Sequence, residues 1–227
     1  MKISVVIPVF NESGTLEKVV ERVQKIPLEI EILIVDDGSS DGTREKLAVL
    51  SKKPGIKVFY HEKNRGKGAA LRTGFQEASG KFVIVQDADL EYDPTDYGKL
   101  LGPLEDGRAD VVFGSRFLGG PHRVLFFWHF LGNKFLTLLS NALSNLNLSD
   151  METGYKAFRR EILTHLHLRA NRFAFEPEFT MKVAKKGFRV YETPISYSGR
   201  DYSEGKKITW WDGVKAVFAI VWFRFFD

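Results

Sequence analysis

Two carboxylates one residue apart, Asp87 and Asp89, follow the apolar run Phe82-Val-Ile-Val-Gln86. In an extended strand residues i and i+2 share a face, so both side chains aim at one spot beyond the strand end. Left alone they repel. A divalent cation that favours oxygen ligands, magnesium or manganese, relieves the repulsion and can bridge a diphosphate. Glu91 continues the spacing, making Asp87, Asp89 and Glu91 the candidate metal ligands. The plainer alternative is a solvated acidic turn capping a helix that starts at Asp93-Pro94.

A second cluster is Val35-Asp-Asp-Gly-Ser-Ser-Asp-Gly-Thr43. Gly38 and Gly42 permit tight turns, and Asp41 or Ser40 can cap the next helix. Turn chemistry accounts for Asp36; Asp37 reads as a ligand contact, accepting hydrogen bonds from a base or ribose. A third is Asn64-Arg-Gly-Lys-Gly-Ala-Ala-Leu-Arg-Thr-Gly74. Its glycines open a helix whose free amides favour an anion, with Lys67 adding charge. It matches neither a Walker loop nor a dinucleotide fingerprint, and a simple loop-to-helix turn is the alternative.

These residues need elements to position them. Ile3–Val9, Glu31–Val35, Lys57–Tyr60, Phe82–Gln86 and Val111–Gly114 read as strands. Thr15–Lys25, Gly42–Ser51, Lys67–Ala78 and Thr95–Leu104 read as the helices between them. Such alternation predicts a mostly parallel sheet covered on both faces, with ligands bound beyond the carboxyl ends of its strands. Asn11-Glu12, Asp36-Asp37 and Asp87-Ala88-Asp89 all fall at such ends. The later chain predicts helices over 124–147, Phe175–Lys186 and Trp210–Phe226, and short strands at Arg189–Glu192 and Ile195–Tyr197.

The bulk numbers bound the answer. The 227 residues suit one domain, with 1–115 as a nucleotide-binding half and 116–227 as an acceptor-binding half. Hydrophobic residues make up 44% and charged residues 27%, which fits a folded core. Cysteine is absent, so disulfides and thiolate metal sites are excluded. The net charge of +4 is too mild to point to a nucleic-acid partner. Met1-Lys-Ile-Ser enters a strand directly, without a secretory signal, and no run approaches the roughly 20 apolar residues that span a bilayer. The expected location is cytoplasmic.

Val6-Ile-Pro-Val-Phe-Asn-Glu12, Val35-Asp-Asp-Gly-Ser-Ser-Asp-Gly-Thr43, Asn64-Arg-Gly-Lys-Gly68 and Gln86-Asp-Ala-Asp-Leu-Glu91 occur in order. Together they resemble glycosyltransferase family two, whose fold is the α/β GT-A type for nucleotide-diphospho-sugar transfer. Gly114-Ser-Arg-Phe117, Asp150-Met-Glu-Thr-Gly-Tyr-Lys156, Phe175-Glu-Pro-Glu178, Glu192-Thr-Pro-Ile-Ser-Tyr197 and Arg200 with Lys206-Lys207 resemble its dolichol-phosphate mannose and glucose synthase branch. The likeness covers nearly the whole chain. It implies that Pro8, Asn11, Glu12, Asp37, Lys67, Asp87 and Ala88 border the nucleotide-sugar. It makes Asp89 a metal ligand and puts Glu91 where the mannose branch commonly has Gln. Arg116 and Arg200 match arginines that hold acceptor and donor phosphates, so Asp89, Arg116 and Arg200 become the catalytic set. The mannose-type enzymes carry an Arg and a Ser four apart on the helix that receives the lipid phosphate. Here His129 and Asn133 stand at those positions, with Lys134 next, which leaves an acceptor-phosphate grip from Arg116, His129, Asn133 and Lys134 but no specific signature for mannose. The alternative for His129 is a packed helix residue.

The implied reaction is an inverting, metal-dependent transfer of mannose or glucose from a GDP- or UDP-linked donor to a polyprenyl or dolichyl phosphate. A phosphate monoester, with its second pKa at about 6, arrives ionised and needs no base. A saccharide hydroxyl, as in cell-envelope polysaccharide synthesis, would need one, and Glu176 and Glu178 are then the candidates. Helix N-terminal charge is their other reading. A sugar-1-phosphate nucleotidyltransferase would need a Gly-rich basic N-terminal loop that Val9-Phe-Asn-Glu-Ser13 lacks. A non-catalytic sugar-nucleotide or lipid-binding protein has no use for the Asp87, Asp89, Glu91 set. Val124-Leu-Phe-Phe-Trp128, Phe135-Leu-Thr-Leu-Leu139, Trp210-Trp211 and Val217–Phe226 combine aromatics with nearby Lys and Arg, as interfacial helices do. The alternative is a core or dimer helix. The expected partners are a nucleotide-sugar, a polyprenyl phosphate and the inner membrane surface, with a separate membrane anchor or a second copy as further options.

Overall fold

The computed structural model describes residues 2–119, 122–124, 126–200 and 210–227. The chain opens with β1 (Ile3–Val9), α1 (Leu16–Gln24), β2 (Ile30–Asp36), α2 (Thr43–Leu50), β3 (Ile56–Tyr60), α3 (Lys67–Glu77) and β4 (Phe82–Val85). A short 3-10 turn at Pro94–Asp96 leads into α4 (Tyr97–Glu105) and β5 (Val111–Ser115). Then come α5 (Phe127–Ser144), β6 (Lys156–Arg159), a 3-10 turn at Arg160–His165, α6 (Phe175–Lys185), β7 (Val190–Pro194) and α7 (Trp210–Phe225).

The strands form one seven-stranded sheet in the order β3-β2-β1-β4-β6-β5-β7. All neighbours are parallel except β6, which runs antiparallel to both β4 and β5. Burial on both faces explains the unbroken apolar runs. Ile3, Val5, Ile7 and Val9 of β1 pack on one side with Leu16, Val19 and Val23 of α1, Leu47 of α2 and Leu100 of α4. Val6, between them, joins Leu71 and Phe75 of α3 on the other side, in the cluster that also holds Phe179 of α6 and Ile220 of α7. The α/β architecture with helices on both faces and helical C-terminal segments is as the sequence predicts.

Two expectations need correction. Arg189–Glu192 and Ile195–Tyr197 are not a pair of strands: one edge strand, β7, ends at Pro194, and Tyr197 makes only isolated bridges to Tyr92 and His122. A proline is tolerated there because an edge strand has a side without ladder partners. Strand β6 was not anticipated. It lies within the segment that begins at Asp150, and its short stretch inserts where a parallel neighbour was expected. Other element limits match the expected ones or differ by at most three residues. Leu125, Lys206 and Lys207, quoted above, lie outside the described residues.

Candidate active site

The carboxyl ends of β2, β1 and β4 lie side by side, so the three polar clusters converge. After β1, Asn11 adopts φ 53°, donates its amide to Ser39 Oγ (2.9 Å) and accepts from the Ser40 amide (2.9 Å). It thereby ties the loop after β1 to the loop after β2. Asp36 accepts from Arg44 Nε (2.8 Å) and the Ser39 amide, a turn role as expected. Asp41 accepts from the Thr43 hydroxyl (2.5 Å), the Ser13 amide (3.1 Å) and the Thr43 amide (3.1 Å), and these bonds hold its carboxyl down at about 2 against the effect of burial.

Asp37 is 2% exposed. It accepts from the amides of Arg65 (2.9 Å) and Gly66 (2.6 Å) and pairs with His61 Nδ1 at 2.7 Å. It therefore clamps the loop that opens α3. Gly66 has φ +100°, and a Cβ there would drive into the Asn171 carbonyl and Arg172, so glycine is required for this approach. Lys67, the first residue of α3, places its ammonium 2.9 Å from Asp87 and 3.2 Å from Glu176. Burial by itself would lower its pKa; those two carboxylates override it and raise the pKa.

Asp89 sits 3.2 Å from Arg200, whose guanidinium also contacts Glu12 at 3.2 Å. Burial, then the charges of Asp87 and Glu91, push the Asp89 carboxyl up to about 7, with Arg200 opposing. Glu91 accepts from Tyr197 Oη (2.8 Å) and the Arg200 amide (2.8 Å), anchoring the segment that carries Arg200. Among the described residues, no three His, Cys, Asp or Glu side chains converge closely enough to hold a metal as a preformed set. The donor chemistry nonetheless fits a hard cation. Asp87 and Asp89 are oxygen donors, and positive charge added beside them would oppose the rise that burial and neighbouring carboxylates impose on Asp89.

These groups line a cleft of about 1460 Å³. A single drug-sized ligand fills roughly 300–1,000 Å³, so the space suits two substrates. Pro8, Glu12, Asp37, Lys67, Asp87, Ala88, Asp89, Glu91 and Arg200 line one part of it. Arg116, His129 and Asn133 line another, where α5 begins. Arg116 makes a two-pronged pair with fully buried Asp150 at 2.6 and 2.7 Å, which fixes its fork in the wall. The predicted residues Asn11, Lys134 and Glu178 are not among the described lining residues. Lys134 donates to the Ser149 carbonyl (3.1 Å) and lies 4.5 Å from the centre of the Phe117 ring. Glu178 accepts from the amides of Arg169 (2.7 Å) and Ala170 (2.8 Å) and from Lys182 (2.9 Å). Of the two candidate bases, Glu176 alone borders the cleft, at 4% exposure.

Sequence reasoning assigned nothing to Glu152, which lines the same wall; burial, then the Glu176 charge, raises its carboxyl to about 8. Its place inside Asp150-Met-Glu-Thr-Gly-Tyr-Lys156 was the available signal. It also missed Asp150 as the partner of Arg116, and the stacking of Tyr92 on Tyr155, 4.8 Å between centroids, which floors the site behind Asp87.

Residues 4–166 match the family model described as Glycosyl transferase family 2. The chain is 34% identical over 211 residues to a dolichol-phosphate mannosyltransferase of Pyrococcus furiosus, covering 91% of this chain and 59% of that one. It thus spans less than two thirds of that relative's length. It is 33% identical to a polyprenol monophosphomannose synthase of Mycolicibacterium smegmatis, covering 89% of this chain and 79% of that one. Among solved structures, glucosyl-3-phosphoglycerate synthase from Mycobacterium tuberculosis, in complex with Mn2+, uridine diphosphate and glucosyl-3-phosphoglycerate, superposes with a TM-score of 0.75. That match covers 98% of this chain and 79% of that one at 24% identity, a likeness of the GT-A fold.

Proposed function

The chain belongs to glycosyl transferase family 2, and on that premise we propose that it moves a hexose, mannose or glucose, from a GDP- or UDP-linked donor to a polyprenyl phosphate at a membrane surface, with inversion. One observation carries the reading. A single cleft joins the carboxyl ends of β1, β2 and β4, suited to a nucleotide-sugar, to Arg116 and the aromatic start of α5. The names of the two relatives support the lipid acceptor.

Asp89 and Asp87 are the residues to hold a divalent cation, the oxygens of Glu91 being engaged by Tyr197 and the Arg200 amide. Such a cation, when bound, neutralises charge on the departing diphosphate. Arg200 and Lys67 add fixed positive charge on the same side. Arg116, with His129 and Asn133 beyond it, is the group to orient the acceptor phosphate. A phosphate oxygen attacks the anomeric carbon from the face opposite the leaving group. The bond to the β-phosphate oxygen breaks, and the nucleoside diphosphate departs with the electron pair. The acceptor arrives ionised, so no protein base takes part.

Membrane association is part of the proposal. Helices α5 and α7 pack on one another. Both expose aromatics, Trp128 and Phe135 on α5, Trp210, Phe218 and Trp222 on α7. Among the described residues no helix is long and apolar enough to cross a membrane. An interfacial seat for this face would present the lipid phosphate to the cleft mouth, where Trp128, His129 and Trp210 stand.

The alternative, a saccharide-hydroxyl acceptor, draws support from Glu176 on the cleft wall. The test is transfer from labelled GDP-mannose and UDP-glucose, with magnesium or manganese, to a short polyprenyl phosphate and to soluble saccharides. Lipid-linked product that is lost in Asp89→Ala and Arg200→Ala but is still formed by Glu176→Gln at saturating donor supports the proposal. Product on saccharides alone, abolished in Glu176→Gln, overturns the lipid reading in favour of the hydroxyl one. Donor binding without turnover under any condition would leave a non-catalytic binding protein.

A further inference from the structure

Glu152 and Glu176 stand together on the cleft wall, and each has a buried carboxylate oxygen with no hydrogen-bond donor, Oε1 of Glu152 and Oε2 of Glu176. A buried oxygen without a partner is destabilising, so two on one wall call for an explanation. Neither is a helix-capping arrangement. Glu176 lies in the first turn of α6, but its other oxygen pairs with Lys67 at 3.2 Å instead of with the helix amides. Lys67 in turn holds Asp87 at 2.9 Å. A Cβ at Gly154, two residues beyond Glu152, would collide with Asp87 Oδ2. The acidic pair thus adjoins Asp87, with Glu152 just ahead of β6, the strand on the far side of β4 from β1 and β2.

We propose that Glu152 and Glu176 form a hexose subsite that hydrogen-bonds hydroxyls of the donor sugar and so selects the sugar. A hexose hydroxyl both donates and accepts, so it can partner these carboxyl oxygens whether the group is ionised or protonated. Lys67, bonded to both Asp87 and Glu176, keeps the diphosphate end and the sugar end of the site in one register. The inference rests on the reading of the chain as a nucleotide-sugar enzyme, and goes beyond it by naming what reads the sugar.

The experiment measures dissociation constants by calorimetry, with manganese, for UDP and GDP and for UDP-glucose and GDP-mannose. It also uses the deoxyfluoro analogues of each sugar at positions 2, 3, 4 and 6. Proteins are the parent chain, Glu152→Gln and Glu176→Gln. For the preferred sugar, each substitution weakens the nucleotide-sugar by about 10- to 100-fold and leaves the free nucleoside diphosphate within about 2-fold. At least one deoxyfluoro analogue loses as much on the parent chain, and combining it with the matching substitution costs little more. The analogue series needs no variant, so it stands even if a substituted chain folds poorly.

Three results overturn the proposal: unchanged nucleotide-sugar affinity in both variants, equal weakening of the free diphosphate, or deoxyfluoro analogues that all bind like the parent sugar. A Glu176→Gln chain that binds donor normally but turns over none assigns Glu176 to proton transfer and removes it from the subsite. If no nucleotide-sugar binds the parent chain at all, the family-based reading fails first. If donors bind and are transferred while the substitutions do nothing, the subsite alone fails.

Discussion

Glu178 and Glu176 are two residues apart on one helix, yet they should respond to substitution in opposite ways. Glu178 is fully buried. It takes the Arg169 and Ala170 amides at 2.7 and 2.8 Å and Lys182 at 2.9 Å. Glu178→Gln keeps the shape but turns an amide NH2 toward at least one donor. One charge-assisted hydrogen bond is lost, about 1.5–3 kcal/mol, and one buried donor goes unpaired, about 1–3 kcal/mol. Lys182 retains Asp227 at 2.8 Å, which places the total at the low end, about 3 kcal/mol. For a chain of this length that is roughly 6–12 °C in Tm. Urea unfolding should show a lower midpoint with an unchanged slope, and turnover measured well below the new Tm should stay within about 2-fold of the parent. A Glu178→Gln chain of unaltered stability and collapsed turnover would refute the reasoning, because the carboxylate would then act in chemistry and not as a staple.

Gly154→Ala places a methyl group against Asp87 Oδ2 and 3.1 Å from the Tyr92 ring. Overpacking of about 1–3 kcal/mol should lower Tm by a few degrees and cut transfer at least about 10-fold; scanning fluorimetry with a transfer assay checks both, and full activity would contradict the close approach. Trp128 and Phe218 are 77% and 72% exposed. Seating each in an interface removes on the order of 100 Å² of aromatic surface, about 2.5 kcal/mol apiece, so Trp128→Ser with Phe218→Ser should lower partition onto anionic vesicles by at least about 100-fold in sedimentation. Unchanged partition would sink the interfacial seat. Hydrogen bonds from Lys2, Ser4 and Ser79 outweigh burial and hold the Glu31 carboxyl at about 2, below its ordinary 4.5. A depressed folded-state pKa stabilises above about pH 4.5, and that stabilisation is lost as pH falls toward 2. After allowance for solvent screening at the Lys2 side, Glu31→Gln should remove about 1–2 kcal/mol of this acid-limb slope in urea titrations at stepped pH.

Much of the cleft's wall at the ends of β1, β2 and β4 was legible because it is local. β-Branched runs mark β1, β2 and β4, and each ends in a polar cluster that follows within a few residues. Adjacent parallel strands then bring Asn11, Asp37 and Asp89 to one edge without further information. The wall formed by the start of α5 depends on which way a helix rolls. Asn133 and Lys134 are neighbours in sequence, but only Asn133 borders the cleft, because Lys134 reaches the Ser149 carbonyl and the Phe117 ring. Nothing in the local pattern chooses between them. Strand β6 was illegible for a similar reason: Lys156-Ala-Phe-Arg159 is short and carries a lysine that is nonetheless fully buried. Burial pushes that ammonium down to about 8, and it is kept in place by the Thr153 carbonyl and the Phe113 ring. Tertiary contacts, not propensity, put it in the sheet.

That inserted strand bears on how the molecule is made. On a ribosome that emits about 5–20 residues per second, β5 has no sheet neighbour until residues 156–159 emerge. Until then β4 offers a naked edge, the kind of template on which unfinished chains stick together. A fragment ending after β5 would inherit that edge permanently. Assembly of the sheet therefore waits on the pairing of β6 with β4 across more than 70 residues of chain, a long-range contact of the kind that slows folding.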